Sequence, residues 1–360
     1  MKIYKYKFLV VLFLILSFML FKLVAIDDIN NATDSYQNNG FRLYADHPTY
    51  VNTYNSADNI LDVLILHPNY LGPITLLFLT NNNLYFIYIF NVAVFLISIA
   101  VTIRFLKINN FLYVCLLIIN PILLISLFSV NKEIFALLST SLFIVSLERS
   151  SFKFLVISII ISLCARKELG VFYLLIFITL RTNTLRTNFN WHKHSLLLYT
   201  FLIASISICG NYLSSNFEVF ELYLNESEQA FNTVNSGGTI NLLNQLQNKF
   251  GYWCVFLPKT ALNLFGSIYR IDSIFVVNDV YNNVVIWVQS LLFIILIPLS
   301  ISKLQRLDEI ISRKLFFSFV VFCIMFSFIA IIQSRYFYPC YILLVIIICI
   351  KEKKYMNGES

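Results

Sequence analysis

Apolar runs alternate with short polar breaks along almost the whole chain, and most of the runs approach the thickness of a bilayer. Those at about 6–25, 84–103, 111–129, 133–148, 152–165, 169–181, 194–213, 283–302, 315–333 and 336–350 predict ten transmembrane helices. The expectation is an all-α, polytopic integral membrane protein forming one membrane domain over residues 1–360. The runs at 152–165 and 169–181 are short for a helix that needs about 17–25 residues to cross alone. Arg166, Lys167 and Glu168 lie between them. Helices that end below the surface must bury their free backbone groups in protein or in a cavity, so this pair predicts a cavity in the membrane.

Two longer polar stretches interrupt the pattern. The first, 26–83, is the first outer loop. Within it, residues 60–80 are apolar enough to suggest another span, but they carry Asp62, His67, Pro68, Gly72 and Pro73. They read instead as one or two helices at the outer interface, or dipping in from it. The second stretch, 214–282, is a large outer loop, acidic in its first half and amphipathic and aromatic from Phe250 to Tyr269. The N-terminus, with Lys2, Lys5 and Lys7 before an apolar run, has the outline of a signal peptide. No small-residue cleavage site follows, and the run reads as an uncleaved first span.

Composition and charge fit this layout. The chain is 59% hydrophobic and 12% charged, where a soluble domain carries about 25% charged residues. A soluble enzyme is thereby excluded. With both termini cytoplasmic, 17 of the 26 Lys and Arg fall on the inner side together with 5 of the 19 Asp and Glu. The inner side is then strongly basic and the outer side acidic, as the positive-inside rule requires. The net charge of +7 is a signature of orientation and not of nucleic-acid binding. The seven Cys show no CxxC or CxxH spacing and read as packing residues; no metal site is expected. There is no Walker A or GxGxxG sequence to hold a nucleotide.

The residues that could do chemistry collect on the predicted outer face. The first loop holds two stretches of one shape, His47-Pro48-Thr49-Tyr50 and His67-Pro68-Asn69-Tyr70, with Asp46 before the first. Asn131-Lys132-Glu133, Arg166-Lys167-Glu168 and Ser334-Arg335-Tyr336 occupy three outer turns. Each has an ordinary explanation. Lys132 and Glu133 can cap a helix turn, Arg166 and Lys167 can snorkel to the interface, and the histidines can be loop residues beside turn-setting prolines. Together they suit an anionic, lipid-linked substrate. Arg grips phosphate oxygens in pairs, Lys adds a point charge, and a nearby carboxylate or His can accept a proton from a sugar hydroxyl. Developing charge on a leaving diphosphate would be stabilised by the same cations. The sequons at Asn31 and Asn225 matter only in a secretory-pathway protein.

In these features the chain resembles the bacterial O-antigen and capsule polymerases of the Wzy type, and more loosely the multispan glycosyltransferases of the GT-C class. The likeness is carried by His-Pro-Asn-Tyr (67–70) before the second span and by Asn120-Pro121 ahead of the Lys132-Glu133 turn. It is carried further by a large outer loop before the last three spans, and by Ser334-Arg335-Tyr336 followed by Pro339 and an apolar tail. It departs from the mannosyltransferases in lacking a clear doubled acidic motif, Asp27-Asp28 being the nearest. A two-Arg loop scheme does not carry over, since Arg270 stands alone near the end of the long loop.

The resemblance implies transfer of a glycan from undecaprenyl diphosphate to a lipid-linked repeat unit at the outer face of the bacterial inner membrane, with no cofactor and no nucleic acid. It implies Lys132, Arg166, Lys167, Arg335 and His67 as groups that bind the diphosphate, and Asp46, His47 or Glu133 as the catalytic group. A flippase and a chain-length regulator would be partners. Two other readings stay open: a transferase adding one sugar from a polyprenyl-phosphate donor, and a flippase or transporter of lipid-linked oligosaccharide. A purely structural membrane protein is the fourth reading. No half-to-half repeat of the kind common in transporters is evident.

Overall fold

The computed structural model describes residues 2–27, 29–30, 46–57, 70–181, 242–243, 245–246, 249–250, 255–266, 280–306, 310–327 and 334–351. His67, the predicted span at 194–213 and most of the 214–282 loop lie outside the described residues. The described chain is helical, with no strand; an isolated antiparallel bridge joins Ile108 to Ile350.

The order is α1 (Lys2–Leu20), continued by a π-helical turn Phe21–Ala25, then α2 (Asp46–Ser56), α3 (Leu71–Thr80), α4 (Leu84–Phe105), α5 (Asn110–Ile119), α6 (Pro121–Phe128) and α7 (Glu133–Arg149). After these come α8 (Phe152–Ala165), α9 (Lys167–Arg181), α10 (Phe256–Leu264), α11 (Val280–Arg306) and α12 (Ile310–Ser327). A 3₁₀ turn, Ser334–Phe337, leads into α13 (Tyr338–Cys349).

Three of the described helices are long and apolar enough to cross a membrane: Lys5–Ala25, Leu84–Phe105 and Val285–Gln305. The run predicted as one span at 111–129 is broken into α5 and α6 by a bend of 72°, and it makes a fourth if the bent pair counts as one. The cause is local. Pro121 has no N–H to continue the ladder, and the Asn120 side chain instead accepts a hydrogen bond from the Ile122 amide at 2.9 Å, starting a new helix. Asn83 and Asn109 cap α4 and α5 in the same way.

The centre of the bundle is α7 together with α13. Residues Ile134–Leu147 of α7 are buried except for Leu138, and α13 is buried along nearly its whole length. A helix that is apolar all round and this short has to be wrapped by others, and α4, α8, α12 and α13 surround α7. Lipid offers no hydrophobic drive between helices, so close packing has to hold them together. Ala136, Ser139, Ser141 and Ser146 on α7 let neighbouring backbones approach. The Tyr173 hydroxyl of α9 meets Ser139 at 3.1 Å and Thr140 at 2.9 Å.

Contacts along the helices show two ends of different chemistry. At one, Arg104 and Arg149 both lie over the Phe105 ring, at 5.7 and 5.6 Å. Lys314 donates to the Leu147 carbonyl, and the Lys351 amide donates to the Lys107 carbonyl. α1 runs antiparallel to α4, with Phe13 on Phe95, Ser17 on Tyr88 and Phe21 on Tyr85, which brings Lys5 and Lys7 to this basic end. The opposite end carries the residues singled out from the sequence. There the ten-residue α3, too short to cross, packs on α2 and α8 and turns back through left-handed Asn81 and Asn82 into α4. Its Gly72 is required by that packing, because a Cβ there would sit 2.1 Å from the Cys164 carbonyl oxygen of α8.

Candidate functional site

Four stretches far apart in sequence converge at this second end: Asp46–Tyr50 at the start of α2, Val130–Glu133 between α6 and α7, Arg166 between α8 and α9, and Arg335–Tyr336 ahead of α13. The turn that carries Lys132 and Glu133 is clamped from several sides. Asn91 of α4 donates from Nδ2 to the carbonyls of Leu127 and Ser129, at 3.2 and 3.0 Å. The Val130 amide donates to His47 Nδ1 at 3.2 Å, and the Glu133 amide to Asn131 Oδ1 at 3.2 Å. Arg166 is an extended residue between two helices, and its own amide closes the last turn of α8 onto the Ser162 carbonyl.

Two ion pairs form the site and they differ in depth. Arg335 grips Asp46 with both arms, Nη1 to Oδ2 at 2.6 Å and Nη2 to Oδ1 at 3.1 Å, and these side chains are 31% and 29% exposed. Arg166 Nη2 meets Glu133 Oε1 at 3.1 Å, with side chains 15% and 3% exposed. The Arg166 guanidinium also lies 3.7 Å from the centre of the Tyr336 ring. The second carboxylate oxygen of Glu133, Oε2, is buried with no hydrogen-bond partner.

Lys132 is held differently. It has no carboxylate within 4.0 Å among the described residues; its ammonium sits 5.0 Å from the Tyr70 ring centre and 5.8 Å from that of Tyr50. These rings stand edge-to-face, 5.1 Å apart. Among the described residues three cations, Lys132, Arg166 and Arg335, thus face two carboxylates, Asp46 and Glu133, which leaves one surplus positive charge when all five are ionised.

The protonation states follow from burial and these neighbours. Burial works to raise the Asp46 carboxyl, but the Arg335 guanidinium outweighs it and, with Lys132 and Arg166 nearby, keeps it below the usual carboxylate range. Burial opposes the charge on Arg166; the Glu133 carboxylate and Tyr336 more than offset it. Lys132 is lowered to about 8, first by burial and then by the Arg166 cation. His47 is pushed down to about 4 by burial, so near neutral pH it is an uncharged imidazole whose Nδ1 already accepts the Val130 amide. Burial and the Asp46 charge keep the Tyr50 phenol protonated.

Of the residues singled out from the sequence, Asp46, His47, Lys132, Glu133, Arg166 and Arg335 are brought together. Lys167 is exposed, without an ion pair among the described residues. What the sequence reading missed is the tyrosines. The two His-Pro-x-Tyr stretches share a Tyr as well as a His, and it is Tyr50 and Tyr70 that meet at Lys132. Tyr336 adjoins Arg335 in the sequence, yet it covers Arg166. Among the described residues no cluster of His, Cys, Asp or Glu could hold a metal ion.

An apolar cavity of about 200 Å³ lies between α9 and α12, lined by Phe172, Leu175, Ile176, Phe317, Val321 and Met325 with Thr179. Its Phe172 side connects to the cluster through Phe326 at 5.7 Å and then Phe337 at 5.5 Å, two residues past Arg335. Along α9, Phe172 stands about 8 Å from Lys167, at 1.5 Å rise per residue. No known protein family, curated protein or solved structure matches this chain.

Proposed function

We propose that this protein is a glycosyltransferase of the polysaccharide-polymerase kind. It joins undecaprenyl-diphosphate-linked repeat units into O-antigen or capsular polysaccharide at the outer face of a bacterial inner membrane. The observation that carries the reading is the convergence of Lys132, Arg166 and Arg335 with Asp46 and Glu133 at the end of the bundle opposite Arg104, Arg149 and Lys314. Two ion pairs alone would serve as structural staples. Lys132, held by rings and with no carboxylate within 4.0 Å among the described residues, and the partial exposure of the Asp46–Arg335 pair favour a site that receives an anion.

In this reading Arg335, Arg166 and Lys132 hold the diphosphate and stabilise the charge that develops on it as the sugar leaves. The cleft between α9 and α12 gives the polyprenyl chain an apolar surface beside the cations. His47, neutral and bonded to the Val130 amide, positions the turn that bears Lys132. The full architecture proposed is a GT-C-like bundle of about ten spans with both termini cytoplasmic, the helices shorter than a bilayer framing the cavity.

The test is the chain-length pattern of the polysaccharide made by cells whose only copy is Arg335→Ala or Lys132→Ala. The expected result is loss of long chains with single repeat units still present; normal chain length in both variants overturns the site. A lipid-linked product one sugar longer, without polymer, would instead identify a single-sugar transferase acting through the same residues.

A further inference from the structure

Three groups near the cations could take a proton from an acceptor hydroxyl, and none is free to do so in this state. His47 Nδ1 already accepts the Val130 amide, and the ring is 3% exposed. Glu133 has an unpartnered oxygen, but its side chain is sealed at 3% exposure. Asp46 is the accessible one, and both its oxygens are taken by Arg335. The guanidinium that blocks Asp46 is also the most exposed of the paired cations. A phosphate approaching from outside therefore meets Arg335 first, and two of its oxygens can accept from both arms of the guanidinium as the two oxygens of Asp46 do.

We propose that the Asp46–Arg335 pair is a latch opened by the substrate: the diphosphate takes the Arg335 guanidinium, and the released Asp46 becomes the proton acceptor. This rests on the transferase reading above. Tyr50 keeps Asp46 in place after release, since its hydroxyl, one turn along α2, reaches Asp46 Oδ2 at 3.4 Å. The acceptor oxygen then forms a bond to the anomeric carbon, and its proton passes to Asp46. The bond from that carbon to the diphosphate oxygen breaks, and its electron pair stays on the diphosphate, held by Arg335, Arg166 and Lys132. Before the diphosphate arrives, both Asp46 oxygens are held by Arg335, so the base is formed only when the donor is bound. The buried Arg166–Glu133 pair, braced by Tyr336, stays closed and keeps the second guanidinium aimed.

The latch makes a prediction that a static anion site does not. Removing the carboxylate that competes for Arg335 strengthens anion binding. Full-length protein in lipid nanodiscs is titrated with inorganic pyrophosphate by calorimetry, as wild type, Asp46→Asn, Glu133→Gln and Arg335→Gln. Asp46→Asn is expected to bind about tenfold more tightly than wild type, and Glu133→Gln less than threefold so, because the Gln oxygen in that sealed pair still accepts from Arg166 and the pair does not have to open. At about pH 5, wild type is expected to take up more protons on binding than Asp46→Asn does, because burial raises a carboxylate that has lost its Arg partner.

Proton uptake on binding of sulfate, which does not itself titrate there, is read on the unaltered protein and keeps the test independent of how well a variant folds. Equal or weaker binding by Asp46→Asn, equal strengthening in Asp46→Asn and Glu133→Gln, or absence of proton uptake with sulfate overturns the latch. If pyrophosphate binds to wild type and is lost in Arg335→Gln, the anion site survives that result. If no anion binds to any of the four proteins, the anion-site reading falls and the latch with it.

Discussion

Tyr50 and Tyr70, the last residues of two His-Pro-x-Tyr stretches, stand edge-to-face 5.1 Å apart and share one neighbour, the Lys132 ammonium. A cation held by two ring faces stays attracted without being neutralised, and each ring contributes about 0.5–2 kcal/mol depending on how dry the site is. Lys132 is thus positioned and remains available to an anion. Replacing Tyr50 by Leu is expected to weaken pyrophosphate binding about three- to tenfold, by letting the ammonium wander. Tyr50→Phe keeps the ring and is expected to cost little at Lys132. Calorimetric titration of the two variants checks this; equal losses would show that the hydroxyl is what matters and not the ring.

The same lysine sets an alkaline limit. Its value of about 8 lies below the ordinary lysine range because burial and Arg166 disfavour the charge. Anion binding that needs the charged ammonium is therefore full below this value and declines as pH rises through about 8. Lys132→Arg, charged throughout the accessible range, is expected to carry binding to higher pH, though with poorer fit between the rings. The pH profile of pyrophosphate affinity for wild type and Lys132→Arg is the measurement, and an unshifted alkaline limb would remove Lys132 as its source.

Glu133 and Arg166 form the deeper pair. Removing one member of a buried pair leaves the other charge uncompensated and typically costs about 3–5 kcal/mol. Glu133→Ala is expected to lower thermal stability sharply, whereas Asp46→Ala, at a pair about 30% exposed, is expected to cost under about 1 kcal/mol. Melting midpoints of the purified variants decide; a larger loss for Asp46→Ala would reverse the assignment of structural and functional pairs.

His47 gives an acid limit. Its value in the folded protein is depressed to about 4, below the ordinary 6.5, so the stability tied to the neutral ring is complete above 6.5 and is lost as pH falls toward 4. His47→Gln, which cannot take a charge, is expected to be less stable at neutral pH and to lose less on acidification. Melting midpoints between about pH 7 and pH 4 test the sign, since a steeper acid loss in the variant contradicts it.

Gly72 is a purely steric test. A Cβ at this position would meet the backbone carbonyl oxygen of Cys164 at 2.1 Å, a contact that only movement of α3 away from α8 can relieve. Gly72→Ala is expected to destabilise by about 1–3 kcal/mol and to loosen the wall of the site that holds Tyr70. Reduced yield of folded protein with weakened pyrophosphate binding is the expected pair of results. Unchanged stability would mean that α3 does not pack there.

Much of the membrane character was legible in the chain, because a run of apolar side chains as long as a bilayer is a local property. The long runs of α1, α4 and α11 came through as helices of the expected kind. The run at 111–129 shows where that reasoning stops. Its composition is uniformly apolar, but one Asn-Pro step bends it by 72°, because backbone hydrogen bonding and not hydropathy sets helix continuity. The candidate site was legible as a set of charges in short turns between apolar runs, since ionisable residues beside apolar runs are costly and stand out. Their pairing was not.

Sequence alone determined that the chain is helical, with apolar runs long enough to cross a membrane and ionisable residues in the breaks between them, because hydropathy and charge are read residue by residue. Only the tertiary structure decided that Arg335 belongs to Asp46, 289 residues away, that Arg166 belongs to Glu133, and that Lys132 lies over two tyrosine rings. Those partnerships depend on which helix ends the packing of α7 and α13 brings together. Every one of these cations carries the same formal charge in the sequence, so nothing local distinguishes a sealed ion pair from a half-exposed one.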